Sequence, residues 1–360
     1  MNSKVAVLKT TPAGVFDDYR RLARLGGLGE TLDPRADLLI KLNLSWTKYF
    51  PACSTQPWQL EGTLLALREA GFAPERLIPV ENKTVVTNPR QGCANNRWAP
   101  VLERFGLTFR PLPEEEWTVH AFKAPLLRLN EIFPDGIEIP KIYEGRQILH
   151  LPTVKTHGHS TTTGAVKNAF GGLLKEVRHY AHKYMHEVLV DLVLMQKELH
   201  PAQFALMDGT VCGDGAGPRT MTPRVENYIL AAADPVAIDA VAAKMMGFDP
   251  LSIPYLRMCH ERGLGAADPR AIEVVGEDVA GVNFGFRTKR SFVIWGDQML
   301  RRGPLRFAEH LLLHTKLVAW APFASNVYHD WLWYPTVGRA VINGFLKTEW
   351  GRFMVERYGR

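Results

Sequence analysis

Closely spaced cysteines are absent from this sequence. Its four cysteines, Cys53, Cys93, Cys212 and Cys259, lie far apart and form no C-x-x-C pair. Iron–sulfur and zinc sites are usually built from close-set cysteines, so no ferredoxin-type cluster is held within one segment, and a metal site would have to be assembled from scattered residues. Reduced, unpaired cysteines suit a cytoplasm. No apolar run approaches the roughly 18 residues a membrane span needs. The start, MNSKVAVLKT, reads as a short alternating strand without the apolar stretch of a signal peptide. A soluble, cytoplasmic chain without a transmembrane segment is expected. There is no G-x-G-x-x-G entering a helix and no P-loop, no internal repeat of about 20 to 50 residues and no low-complexity tract. Nucleic acid is not an expected partner.

A chain of 360 residues can bury a large core. Hydrophobic residues make up 46% and charged residues 22%, ordinary values for a globular protein. The net charge of +6 is unevenly spread. From Phe286 to Arg360 there are 12 Lys and Arg against 5 Asp and Glu, whereas the remainder has 31 against 32. The basic balance therefore belongs to the tail. Such a tail can attract phosphates or anionic lipid, although a solvated surface is the commoner explanation.

The first third alternates strand and helix signals. Val5 to Leu8, Asp37 to Leu44 and Leu77 to Glu81 read as strands, and Phe16 to Leu25 and Trp58 to Ala70 as helices, the second stopping at Gly71. Alternation of this kind argues a mixed or mostly parallel sheet flanked by helices, an α/β fold. Two extended pieces follow around Ile137 to Leu151. Later, Tyr184 to Leu199 reads as an amphipathic helix, Phe204 to Met207 as a short strand, Gly209 to Pro218 as a glycine loop and Tyr228 to Ala233 as a strand. Asp234-Pro235 opens a helix to Met246, with Asp at the N-cap and Pro at N1. The expected organisation is an N-terminal α/β lobe (1–145), a central α/β lobe carrying the main motifs (146–285) and a basic, aromatic-rich helical extension (286–360). The extension holds five of the nine tryptophans.

Chemistry concentrates in LHLPTVKTHGHSTTTGAVKNAFGG, Leu149 to Gly172. Ligands of α/β sheets sit beyond the carboxyl ends of strands, and a turn leading into a helix offers free amides at a positive dipole end. With Lys155 and Lys167 added, the stretch should favour a carboxylate or phosphate. Thr162, Thr163 and Asn168 would contribute polar contacts. Six of the twelve histidines fall between His150 and His186. His179, His182 and His186 are spaced i, i+3, i+7, one face of a helix, and with His157 they form a candidate set for a divalent metal; alternatively one histidine acts as acid and base. No carboxylate stands at a recognised ligand spacing beside them. Asp208 ends a short strand before Gly213 and Gly215, which allow close backbone approach. Lys41 and Asn43 end a buried strand, where polar groups usually have a task. Glu81 is similarly placed. Asp234 is most simply a helix cap, and Asp239 faces either the site or solvent.

Four blocks, IKLN at 40–43, LPTVKTHGHSTTTGAVKNAFG at 151–171, DGTVCGDGAGP at 208–218 and AAADPVAIDAVAAKMMG at 231–247, resemble in order, spacing and residue type the family catalogued as domain of unknown function 362. The resemblance covers about residues 37 to 250. The family usually has Pro where this chain has Leu42, a departure that leaves Lys41 and Asn43 intact. Many members carry a ferredoxin-like iron–sulfur segment, which this chain lacks. The layout is also loosely similar to lactate racemase-type proteins, in which lysine and histidines surround a nickel-pincer cofactor, but their motifs are not matched closely enough to transfer a ligand.

The sequence thus leads to three expectations. The favoured one is an enzyme acting on a small anionic molecule by lyase- or isomerase-like proton transfer. Lys41, Lys155 and Lys167 would hold the anion, His157 would transfer the proton and Asp208 would orient substrate or metal. The second is a metal- or redox-linked accessory protein using the histidines. The third is a membrane-surface or protein-binding module using residues 286–360.

Overall fold

Alternating strands and helices build most of the chain. The computed structural model describes residues 3–84, 86–175, 181–289, 292–301, 303–308, 312 and 320–359. In chain order the first part runs β1 (Ser3–Lys9), α1 (Val15–Leu25), α2 (Leu28–Thr31), β2 (Leu38–Lys41), α3 (Pro57–Glu69), β3 (Leu77–Glu81), α4 (Pro89–Asn95), α5 (Trp98–Arg104) and β4 (Arg110–Pro111). A small excursion follows, with β5 (Trp117–His120), α6 (Leu129–Ile132) and β6 (Ile137–Pro140), in which β5 and β6 pair apart from the main sheet. Then come β7 (Gln147–His150), β8 (Thr153–His157), β9 (Thr161–Thr162), α7 (Ala165–Leu173) and α8 (Met185–Leu199). The long strands β10 (Gln203–Ala216) and β11 (Thr220–Ala232), α9 (Pro235–Met246), α10 (Pro254–Glu261) and β12 (Ile272–Gly276) complete the body.

The main sheet has the order β12-β1-β11-β10-β7-β2-β3-β4, with β8 joining at β10 and β9 pairing with β8. It is mostly parallel: β11 runs antiparallel to β1 and β10, and β9 to β8, while the other pairs are parallel. Strands buried on both faces need continuous apolar runs, and Leu38–Ile40 and Ile148–Leu149 supply them. One face is covered by α1, α3, α5 and the C-terminal helix Glu349–Tyr358, around Tyr19, Trp58, Trp98 and Trp350. The other is covered by α7, α8, α9 and α10, around Phe170, Leu189, Val193 and Tyr255. The sheet crosses the boundary expected at residue 145, because β7 lies between β2 and β10.

The stretch Gly209 to Pro218, expected as a glycine loop, is instead the second half of β10 and the tip of its hairpin with β11. Glycine is a poor strand former, but here missing side chains are what permit the pairing. A Cβ on Gly213 would sit 3.0 Å from Lys155 Cβ on β8, and one on Gly217 would sit 1.8 Å from the Thr156 carbonyl oxygen. Asp234 caps α9 as expected, accepting from the Val236 and Ala237 amides at 2.9 and 3.1 Å.

Beyond the body, the 12-residue π-helix Val327–Gly338 contains Pro335. Proline has no amide hydrogen and its ring crowds the carbonyl four residues earlier; the wider π turn gives that ring room. The inward side chains Trp333 and Tyr334 pack on Trp46 and Phe50, and the Tyr334 hydroxyl donates to the Tyr49 carbonyl at 3.0 Å. Further on, Trp350 packs against Trp58 with ring centres 4.9 Å apart and donates to Asn227. Both ends of the extension's last 30 residues are thereby tied to the body.

The close approach at Gly217 makes a simple prediction. Gly217→Ala must displace the hairpin tip from β8 and should cost about 3 kcal/mol, read as a lower urea midpoint at unchanged slope.

Candidate functional site

Residues of one strand face recur every second position, so Thr153, Lys155 and His157 share a side of β8. β2 ends near Lys155, and the loop after it folds around the lysine amine. The Lys155 Nζ donates to Asn43 Oδ1 at 2.6 Å, to Ser45 Oγ at 3.0 Å and to the Cys53 carbonyl. All three acceptors are uncharged, and Lys155 is only 1% exposed. Withdrawal from water disfavours the ammonium, and burial pulls the Lys155 pKa down to about 8.

Lys41, also buried, has a different solution. Its amine meets Glu81 Oε1 at 2.7 Å, from the end of the neighbouring parallel strand β3. Glu81 accepts from the Asn82 amide as well, at 2.8 Å. The pair lies against α7 where the helix has no side chains: a Cβ on Gly172 would come within 3.0 Å of Lys41 Cε and 2.4 Å of the Tyr143 hydroxyl. Asn168, on the same helix, donates to the Lys41 carbonyl at 3.0 Å and accepts from Asn43 Nδ2 at 3.4 Å. Behind it, His150 Nδ1 lies 3.4 Å from Asn168 Nδ2 and His150 Nε2 lies 2.6 Å from Gln196 Oε1. Burial pushes the His150 pKa down to about 3, which keeps this imidazole neutral.

His157 begins a second shelf. Its Nδ1 accepts the His159 amide hydrogen at 3.1 Å, which assigns the proton of the neutral ring to Nε2. Burial above all, then the charges of Lys167, His159, His182 and Lys155, holds its pKa well below the ordinary imidazole value. His159 stacks on His182 with centroids 5.0 Å apart, His182 stacks on Phe170, and the Lys167 amine lies 5.2 Å from the Phe170 ring centre. His159, Lys167, His182, Asn43 and Ser45 are half-buried and form the solvent side; Lys155, His157, Asn168 and Lys41 form the floor.

Several expected contributors are engaged elsewhere. The Ala165 and Val166 amides at the start of α7, expected to be free for an anion, are taken by Asp239 at 2.6 and 3.2 Å, which also accepts from the Tyr255 hydroxyl. Asp239 caps that helix from outside, because Gly164 has no side chain to do so and no Cβ to collide with the carboxylate. Burial pushes the Asp239 carboxyl up to about 8. Thr162 meets the Tyr255 hydroxyl, and Thr163 donates to the Thr153 carbonyl, so both brace the turn beneath the site. Gly213 lies beneath Lys155, and Gly215 farther out accepts from the Lys289 amide. Both Asp208 oxygens are occupied, one by Tyr19 and Trp58, the other by the Thr210 amide and hydroxyl.

The histidines divide. His182 precedes α8, in the turn 181–184, whereas His186 lies inside α8 and stacks on Tyr255; His179 lies outside the described residues. Among the described residues no three His, Cys, Asp or Glu side chains converge as metal ligands. Two cavities, of about 530 and 420 Å³, lie apart from the cluster, one lined by Arg90, Cys93 and Phe109, the other by Val241, Lys244 and Ile272. Sequence reasoning missed Ser45, the Cys53 carbonyl, His150, Gln196 and the capping role of Asp239. Glu81 could have been paired with Lys41, since both end adjacent parallel strands.

Two outcomes follow for the lysines. Removing the Glu81 carboxylate (Glu81→Ala) leaves Lys41 buried without it and should cost about 3–5 kcal/mol in chemical denaturation. Lys155 has a folded-state pKa of about 8 against an ordinary 10.5; the unfolded chain therefore holds this proton more tightly. The contribution to stability is a constant penalty below about pH 8 that is relieved as pH rises from about 8 toward 10.5. One lysine Cε resonance should titrate near 8 and vanish in Lys155→Met.

A curated relative, the thylakoid-associated protein sll1697 of Synechocystis, is 24% identical over 258 residues, 70% of this chain and 75% of its own. A crystal structure of a protein from Thermotoga maritima aligns with 61% of this chain at 11% identity and a TM-score of 0.38, and the alignment spans 55% of that structure's chain. A likeness of that degree carries no argument about function. No described helix is long and apolar enough to cross a membrane. The model of the family described as domain of unknown function (DUF362) matches residues 38–244, which contain the two-lysine floor and the histidine shelf, and the chain belongs to that family.

Proposed function

We propose that this chain is an enzyme that moves a proton on a small anionic substrate, with the Lys155 amine as the base. The carrying observation is the environment of Lys155: a fully buried amine held by three uncharged oxygens, with a pKa drawn down to about 8. A base works best when its pKa lies near the working pH, so that it is partly unprotonated yet still basic. Lys41 beside Glu81 shapes the floor rather than meeting the substrate. The anion, a carboxylate or phosphate, is drawn to Lys167 on the solvent side, where His159 and His182 also stand.

His157 takes the complementary role. As a neutral ring carrying its proton on Nε2 it is a hydrogen-bond donor, suited to an oxygen that gains charge in the transition state. In the proposed step a C–H bond beside the substrate carbonyl or carboxylate breaks, its proton moves to Lys155 Nζ, and its electron pair moves onto that oxygen. Asn43 and His157 stabilise the charge. Lys155 then delivers the proton to a different carbon of the delocalised anion, giving isomerisation, or the electron pair expels a group from the adjacent carbon, giving elimination. Ser45 can rotate its hydroxyl to donate to the unprotonated amine, so Lys155 keeps a partner in both states.

The test is proton exchange. A panel of small carboxylic and phosphorylated acids incubated with the protein in D2O should reveal by NMR a compound that acquires deuterium at carbon, with a rate rising through a pKa near 8. Lys155→Met should slow exchange at least about 100-fold, and Lys167→Ala should chiefly raise KM. Unchanged exchange in Lys155→Met would end the proposal.

A further inference from the structure

The extension also touches the turn that follows β8. On leaving the body it is tied across the β10–β11 hairpin: the Arg287 amide donates to Asp214 Oδ1 at 2.9 Å and the Lys289 amide to the Gly215 carbonyl at 3.1 Å. The helix Phe292–Arg301 comes next, and its half-buried Gln298 donates through Nε2 to the Gly158 carbonyl at 3.1 Å. The Gly158 amide in turn donates to the Gly217 carbonyl at the hairpin tip, at 3.4 Å. The turn between His157 and His159 is therefore held from two sides, by the hairpin and by the extension.

The Gly158 carbonyl and the His159 amide hydrogen belong to one peptide unit. That unit is planar and trans, so its C=O and N–H point in opposite directions and turn together. The His159 amide hydrogen is the one that His157 Nδ1 accepts at 3.1 Å, which leaves the proton of the neutral ring on Nε2. Glycine at 158 lets such a unit turn over at little cost. Turned over, it would present a carbonyl oxygen to Nδ1, and the ring would be drawn to carry its proton there instead. Among the described residues no other group is hydrogen-bonded to the His157 ring, which is only 5% exposed. One peptide unit thus decides which ring nitrogen is the donor.

We infer that Gln298 is a positioning residue: by gripping the Gly158 carbonyl it fixes the 158–159 peptide and, through it, the Nε2–H tautomer of His157. Its part in turnover rests on the reading of His157 as the donor in proton transfer; its hold on the ring does not. The extension, otherwise outside the chemistry, contributes to the site through this one amide.

The ring nitrogens of His157 give the test. In the 15N-labelled full chain without substrate, 15N chemical shifts should show an unprotonated Nδ1 and a protonated Nε2. A coupling across the hydrogen bond should link Nδ1 to the His159 amide nitrogen. Gln298→Met keeps the side-chain length and removes the donor. Losing a hydrogen bond of ordinary strength shifts an equilibrium about fivefold, so the ratio of Nδ1–H to Nε2–H tautomers should rise about fivefold and the coupling should weaken, with unchanged circular dichroism. With a substrate that exchanges its proton, kcat should fall while KM stays nearly constant. Should Gln298→Met fail to fold, Gln298→Glu, of the same shape but with a carboxylate that cannot donate, should move the ring shifts in the same direction. A wild-type His157 protonated on Nδ1, or identical ring shifts in a folded variant, would overturn the inference whatever the exchange assay shows. Altered ring shifts in a protein that exchanges no substrate proton would uphold the hold of Gln298 on His157 and sink the proton-transfer reading instead.

Discussion

Two lysine amines are withdrawn from water at the heart of this fold, and they are treated unequally. Lys41 faces Glu81 at 2.7 Å, whereas Lys155 is given only neutral oxygens. An ion pair removed from solvent gains little net stability, but breaking one is costly, so Glu81 fixes β3 beside β2 and fixes the carbonyl end of β2 where Asn168 reads it. A lysine without a counterion carries a standing desolvation penalty. That penalty is the source of its altered acidity, and the remainder of the site is arranged around tolerating it.

The tolerance is achieved with small residues and amides. Gly172 lets Lys41 lie against α7, and Gly213 lets β10 pass under Lys155. Asn43 and Asn168 relay polarity between the two lysines and toward His150 and Gln196 without adding charge. Asp239 takes the amides of α7 from the far side, and with that positive helix end occupied, Lys167 becomes the cation on the approach. The polar groups thus form two systems, a buried floor whose members hydrogen-bond one another and an outer shelf of imidazoles and one amine.

Much of the scaffold was legible in the sequence because local signals and tertiary use agreed. Leu77–Glu81 and the helices ending at Gly71 and Gly247 have the boundaries that periodicity and glycine stops imply. Lys155, Asn43 and Asn168 were also legible, as polar residues at strand ends or in a dense motif. The hairpin was not: its glycines carry the signature of a loop, and only contact with β8 and β11 turns them into strand. Asp208 was misleading for a related reason, since Tyr19 and Trp58, which occupy its oxygen, are 189 and 150 residues away. The spacing of His179, His182 and His186 suggested one helical face, but α8 begins after His182, so periodicity was extended past the real helix start.

The loop from Asn43 to Cys53 has a consequence of its own. Its inner atoms, Asn43 Oδ1, Ser45 Oγ and the Cys53 carbonyl, set the solvation of Lys155, while its outer rings, Trp46 and Phe50, are the seat of the π-helix. One short span of backbone is therefore shared by the Lys155 cluster and the peripheral extension. Trp333 and Tyr334 pack on the same loop that supplies the oxygens around the Lys155 amine.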